Sequence, residues 1–358
     1  MSNIFKKRLD QLSNKISELG YDGLYITNLT NIRYLTGFTG SAAVLLILDK
    51  SYFFTDGRYI KQSHAQVQNS EITIIDANYF ESIKSKNLLT NNLKIGFESA
   101  HLSFSNYNHL TKYFPNIDWH ATSTIIEDIA SIKDQSEIES LKTAIEITDY
   151  VFEKIIPEIR LGVTEKYISA TISYLFKTNG AEGDSYESII ASGPNSALPH
   201  ARPTDREFQV GDFIVMDFGA LYNGYHADMT RTLLMGPPTQ KHQEIYDIVL
   251  NAQLNGIDSA KAGVTCASVD AACRTIINNH GYGDFFNHST GHGIGLEVHT
   301  LPRIHKSNNQ LLESNHVITI EPGIYLPDWG GVRIEDDCLI MNDKCVPLNK
   351  SSKELIII

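Results

Sequence analysis

Asp217, Asp228, His292, Glu321 and Glu335 are the residues whose types and settings could do chemistry. Asp217 closes the apolar run Phe213–Met216, which has the composition of a buried strand. Asp228 follows 11 positions later, on the return strand of a β-hairpin turned by Gly219 and Asn223-Gly224. Glu321 closes a second such run, Val317–Ile320, and after a turn at Pro327 and Gly330-Gly331 the chain returns through Arg333 and Glu335, which share a strand face. An acid that ends a buried run is anomalous, because an unpaired carboxylate in low dielectric costs on the order of several kcal/mol. Alone, Asp217 could be satisfied by a salt bridge to Arg231 or by capping a turn. Two hairpins that each donate two acids ask for a stronger partner.

Like charges a few ångströms apart force protonation unless cations neutralise them, and two divalent ions would do so here. Oxygen ligands with one imidazole and no thiolate suit manganese, cobalt, iron or zinc in an oxygen-rich pair. Two ions roughly 3.5–4 Å apart can hold a bridging hydroxide that is nucleophilic at neutral pH and can polarise a carbonyl, so the reaction class is metal-assisted hydrolysis. The imidazole comes from HSTGHGIGLEVH, residues 288 to 299, where His288, His292 and His299 stand among glycines too frequent for a helix interior.

The elements around these residues follow from periodicity. Phe5, Leu9, Leu12, Ile16 and Leu19 recur at helical intervals, which predicts an amphipathic helix and no signal peptide. GLYIT, AAVLLIL, YFFTD, EITII and KIGFE then read as strands, with helices over residues 58–67 and 79–89, giving an α/β domain with a parallel or mixed sheet. Residues 31–41, NIRYLTGFTGS, read as an irregular loop, and Asp56 with Arg58 as a local ion pair. From Lys133 a long amphipathic helix runs to an interruption at Pro157. Helices over 164–179, 240–261 and 268–279, and a strand in YESIIASG, complete a second domain.

The formal charge of −12 at pH 7, without a Lys/Arg-rich block, argues against nucleic acid or anionic membrane as a main partner. The longest apolar run, Ala42–Leu48, is too short to span a bilayer, and the expectation is a soluble cytoplasmic protein. Cys266, Cys273, Cys338 and Cys345 show no CxxC spacing and are expected as free, buried thiols.

The ordered set DFGALYNGYHAD, MTRT, GHGIGLEVH, EPGIY and GVRIEDD resembles the proline-specific metallopeptidases of the pita-bread fold, the Xaa-Pro aminopeptidases and Xaa-Pro dipeptidases (prolidases). The resemblance implies an α/β N-terminal domain over residues 1–127 and an α+β pita-bread catalytic domain over 128–358. It makes Asp217, Asp228, His292, Glu321 and Glu335 ligands of two divalent ions, usually manganese or cobalt, with zinc also compatible. Glu321 would also accept the proton of the bridging water. His200 in SALPHARP, with His288 and His299, matches the family histidines that line the site, where they would hold the developing oxyanion and guide a proton to the leaving nitrogen. Arg303, Tyr325 and Arg333 fall at substrate-binding positions, and Arg303 matches the arginine with which short prolidases hold the proline carboxylate. The implied partner is a peptide with proline second, and the implied assembly is a homodimer in which one N-terminal domain leans over the partner's site.

Two departures stand out. Thr300 replaces an acid that often follows VH, and Ala201-Arg202 follow His200 where many members carry an aromatic residue. A non-catalytic pita-bread binding protein is the rival from another class, but such relatives typically lack ligands that are all present here. Creatine hydrolases of this fold work without metals, and methionine aminopeptidases lack an N-terminal domain of this size. Arg303 tilts the expectation towards a dipeptidase over an aminopeptidase acting on longer peptides.

Overall fold

The apolar runs that open the sequence become one sheet. A computed structural model describes residues 4–76, 78–90 and 92–358, and the chain divides into units Met1–Ala130 and Ser131–Ile358. In the first unit, β1 (Gly23–Ile26), β2 (Val44–Ile47), β3 (Ser51–Asp56), β4 (Glu71–Ile75), β5 (Lys94–Glu98) and β6 (Asp118–Thr122) are ordered β4-β3-β2-β1-β5-β6. The sheet is mixed, since β2 runs antiparallel to both β1 and β3 while β5 is parallel to β1 and β6. Helix α1 (Ile4–Glu18) buries Leu9, Leu12 and Ile16 of the predicted stripe, while Phe5 is half-buried and Leu19 lies past the helix end and is exposed.

Asn31–Ser41 is not all loop. Its first half belongs to α2 (Leu29–Thr36), which Asn28 caps and Gly37 ends at φ 81°; the irregular part starts there. The helix predicted over 58–67 is a 3-10 turn followed by α3 (Ile60–Gln66), and Asp56 pairs with Arg58 at 2.8 Å as expected. Helices α4 (Tyr79–Ser85), α5 (Phe104–Tyr113) and α6 (Ile125–Ser131) complete this part of the chain; sequence reading found neither α5 nor the polar strand β6.

In the second unit α7 (Gln135–Ile155) starts on the capping box of Asp134 and Glu137 and gives way to a 3-10 turn at Pro157. It packs with α8 (Glu165–Thr178) through Phe152, Ile168 and Phe176 onto Ile214, Met216 and Phe218. Short strands β7 (Gly183–Asp184), β8 (Ile189–Ser192), β9 (Phe213–Asp217), β10 (Ala220–Tyr222), β11 (Tyr225–His226) and β12 (Thr230–Leu234) lead to α9 (Gln240–Ser259) and α10 (Cys266–Asn279). The remaining strands are β13 (Gly291–Gly293), β14 (Thr300–Ile304), β15 (Val317–Ile320), β16 (Gly323–Leu326), β17 (Gly330–Arg333), β18 (Asp336–Ile340), β19 (Cys345–Pro347) and β20 (Ile356–Ile357). Two sheets dominate, ordered β20-β12-β9-β8 and β14-β13-β15-β18-β19. Helices α9 and α10 back the second with Ile245, Val249 and Cys273 against Ile318 and Ile320.

Each predicted hairpin is interrupted, which corrects the placement of two acids. β9 pairs with β12, Asp217 opposite Thr230, but β10 and β11 turn off into another sheet through Asn223 and Gly224, at φ 49° and 74°. Asp228 therefore lies between β11 and β12, and Glu335 lies in the equivalent gap between β17 and β18. The backbone groups freed there bond across the halves: Asp228 N–H donates to Asp337 Oδ2 at 2.9 Å, and Glu335 N–H to the Thr230 carbonyl at 3.1 Å.

Candidate metal centre

These gaps and strand ends converge. Asp217 ends β9, Glu321 follows β15, and His292 is the middle residue of β13, which pairs with β15. Asp228, His292 and Glu335 each offer a ligand atom, and those atoms lie within 4.8 Å of one another. His292 Nε2 is 3.7 Å from Asp228 Oδ2 and 3.5 Å from Glu321 Oε1. Its Nδ1 is 3.0 Å from the Gly293 carbonyl, which can only accept, so Nδ1 carries the proton and Nε2 presents a lone pair to the acids.

The protein alone does not keep these acids ionised. Burial and the neighbouring Asp217 push Asp228 well above the usual carboxylate range. Burial with Asp228 and Glu321 does the same to Glu335, and burial raises Glu321 to about 7. Burial lowers His292, so its ring is neutral. Raised acids around an unprotonated imidazole lack positive charge, and a divalent cation supplies it.

The fourth acid has a cation already. Arg333, not Arg231, reaches Asp217 Oδ2 at 2.5 Å, while Arg231 is turned to Asp336 at 2.7 Å. The other Arg333 donors go to Thr230 Oγ1 at 3.0 Å, the Pro199 carbonyl at 3.2 Å and Tyr325 Oη at 2.8 Å. The guanidinium and Tyr325 are both buried, so the two face protein instead of open space. Arg333 and Glu335 are on no common strand, since β17 ends between them.

His288 sits at the end of this chain. Its Nδ1–H donates to the Ser289 carbonyl at 2.8 Å, which leaves Nε2 to accept from Tyr325 Oη at 2.9 Å. Burial and Arg333 lower it to about 3. His200 and His299 differ. Both are exposed and neither ring hydrogen-bonds to a described residue; His299 lies 4.3 Å, centroid to centroid, from His292. Burial and His292 lower the His299 pKa. Arg303, on β14, is exposed, and its charge reaches both His292 and His299.

A sequence model of metallopeptidase family M24 matches residues 139–342, and one of the Creatinase/Prolidase N-terminal domain matches residues 8–132. The chain belongs to metallopeptidase family M24. This M24 chain is 38% identical to the Xaa-Pro dipeptidase of Pyrococcus furiosus, over 98% of its own length and 100% of the relative. The structure of an Xaa-Pro dipeptidase from Bacillus anthracis superposes with a TM-score of 0.95 at 40% identity, covering 99% of this chain and 100% of that one. An X-Pro aminopeptidase from Thermotoga maritima superposes at 0.89 with 36% identity, covering 98% and 99%. The two-domain architecture, an α/β domain followed by the pita-bread domain, is the one these neighbours share.

Membership of M24 implies a divalent metal, and the crowding of Asp228, His292 and Glu335 is where the side chains fit one. One residue of this M24 site escaped sequence reading. Tyr186, half-buried, donates its hydroxyl to Asp217 Oδ1 and also contacts Asp228 Oδ1, so a single phenol links the two acids of the first hairpin. Nothing in SYESII marks it, because an aromatic residue at the mouth of a strand is ordinary and its partners lie 31 and 42 residues away. Among the described residues no helix of this M24 chain is long and apolar enough to cross a membrane.

Proposed function

We propose that the chain is an exopeptidase that hydrolyses the Xaa-Pro imide bond with two divalent ions, manganese by preference, held by Asp217, Asp228, His292, Glu321 and Glu335. The observation that carries the reading is the convergence of Asp228, His292 and Glu335 within 4.8 Å among acids that burial has raised. Relatives named Xaa-Pro dipeptidase, matched from end to end, support the substrate class. Bound there, the ions supply a water acidic enough to attack at neutral pH and polarise the scissile carbonyl.

The residues divide the remaining work. Glu321, half-buried and raised to about 7, is suited to take a proton from the attacking water. His200 and His299 have uncommitted ring nitrogens at the exposed side, and we assign to them the developing oxyanion and the proton for the leaving proline nitrogen. His288, with both nitrogens spent on protein, is assigned instead to holding Tyr325, and Arg333 to holding Asp217. An imide nitrogen carries no N–H, so registration cannot use that donor and falls to the substrate's ends. Arg303 has no carboxylate partner among the described residues, and we assign to it the carboxylate that directly follows proline only in a dipeptide.

The second reading is an Xaa-Pro aminopeptidase, favoured by the Thermotoga maritima likeness. A peptide panel with manganese decides between them. Xaa-Pro dipeptides are expected to be cleaved fastest, Xaa-Pro-Xaa tripeptides slower and non-proline controls not at all. Faster tripeptide cleavage selects the aminopeptidase. No cleavage with manganese, cobalt or zinc, and no metal retained, selects a binding protein on this fold.

A further inference from the structure

Glu165 is a fully buried carboxylate outside the metal centre, at the first position of α8. Its Oε1 accepts from Ser192 N–H at 2.7 Å and Ser192 Oγ at 2.7 Å, and its Oε2 from Thr204 N–H at 2.9 Å and Thr204 Oγ1 at 2.7 Å. Asn195 Nδ2 lies 3.1 and 3.2 Å from the two oxygens. Ser192 and Thr204 are the two stems of the segment that carries His200 at its exposed crest. Arg206 does not neutralise the carboxylate directly: it donates to Ser192 Oγ at 2.6 Å and pairs with Asp212. Backbone bonds from Glu165 N–H to the Arg206 carbonyl and from Lys166 N–H to the Thr204 carbonyl, 3.1 Å each, fix the second stem beside the helix start.

We propose that Glu165 is the positioning residue for His200, clamping both stems of the 193–203 loop with one charge. The loop has other anchors toward the crest: Ser196 Oγ accepts from Gly331 N–H at 2.8 Å, the Pro199 carbonyl accepts from Arg333, and the exposed Arg202 pairs with Glu187 at 2.8 Å. His200 makes no hydrogen bond of its own to the described protein, so its ring is placed only by this backbone. Desolvating a carboxylate is costly, and here the return is a rigid loop under an exposed imidazole.

The kinetic part of the proposal rests on the Xaa-Pro peptidase reading. Each carboxylate oxygen holds a backbone N–H, so in Glu165→Gln the amide NH2 faces a donor that cannot turn away whichever way it flips, and one stem is released. Glu165→Gln is expected to lower kcat on an Xaa-Pro dipeptide with manganese by about tenfold with bound metal unchanged. In a His200→Ala background the same change is expected to cost less than about twofold, because the group it positions is gone. Amide hydrogen exchange over residues 192–204 should quicken without quickening in β9 or β15. Equal fold losses in both backgrounds, or unchanged loop exchange, overturn the proposal. If Glu165→Gln does not fold, Thr204→Val removes one donor, keeps the carboxylate and runs the same cycle. A wild-type enzyme inactive on every Xaa-Pro peptide overturns the peptidase reading instead, and the exchange measurement still decides whether Glu165 holds the loop.

Discussion

Replacing Asp228 by Asn or Glu335 by Gln removes a carboxyl that burial keeps protonated in the free site and that a bound divalent ion would take as an anionic ligand. Hydrolysis should be abolished and bound metal reduced, measured by elemental analysis of purified protein; normal stoichiometry with full activity would remove these residues from the ligand set. His200→Ala should keep its metal while kcat falls roughly a hundredfold, the usual scale for a positioned acid-base or oxyanion group. Arg303→Ala should raise KM for Xaa-Pro dipeptides about tenfold to a hundredfold and leave tripeptides unchanged, since a charge-assisted hydrogen bond contributes about 1.5–3 kcal/mol. Acids at the ends of apolar runs announce themselves in a sequence because burial makes them expensive. Tyr186 and Glu165 do not: a phenol is at home in a strand, and an acid in the first turn of a helix is what the helix dipole favours anyway. Their roles come from partners distant in the chain, which a single sequence does not pair.

The strands that lead to Asp217 and Glu321 were legible from apolar runs, and α8, α9 and α10 from periodicity, within a few residues of the predicted ends. The interruptions before Asp228 and Glu335 were not, because alternation looks the same whether a return strand stays in its sheet or crosses to another. Strand β6, DWHAT, was missed for lack of an apolar run, and α2 because its glycines cluster just past its end. The crossing has a weak point that can be tested. A Cβ on Gly219 would lie 1.7 Å from the Ala227 carbonyl oxygen, backbone that cannot yield without moving the residue next to Asp228. Gly219→Ala should lower stability by at least about 1–3 kcal/mol and weaken metal retention, measured by denaturant titration and metal analysis. Gly57→Ala, where nothing lies within 4 Å, should change neither. Equal behaviour of the two variants would mean the crossing tolerates expansion.

Across the whole molecule, acids outnumber bases to give −12, and at the metal centre Asp217, Asp228, Glu321 and Glu335 stand close enough to raise one another. Stability without metal should therefore depend on pH in a direction set by the site. Glu321, raised from 4.5 to about 7, binds a proton more tightly folded than unfolded, so its contribution to folding is full below 4.5 and is lost as pH climbs through 7. Asp228 and Glu335 are raised further and extend that loss to higher pH. The lowered histidines act with the opposite sign: His288, held near 3, and His316, near 4, favour folding as pH rises, but that gain is complete once the unfolded value of 6.5 is passed. Asp270 and Asp336, both lowered from 3.8, matter only in stronger acid. Above pH 6.5 the acids of the centre are thus left to set the slope, together with Asp337, which burial raises in the same direction behind Asp228. Metal-stripped protein should show a falling Tm as pH rises from there. The Tm increment on adding manganese should grow over the same range, because ligands must shed their protons to bind it. Calorimetric scans of stripped and manganese-loaded protein at stepped pH make the comparison. A stripped Tm that holds level or rises, with a manganese increment indifferent to pH, would show that Asp228, Glu321 and Glu335 are not a proton-loaded cluster waiting for a cation.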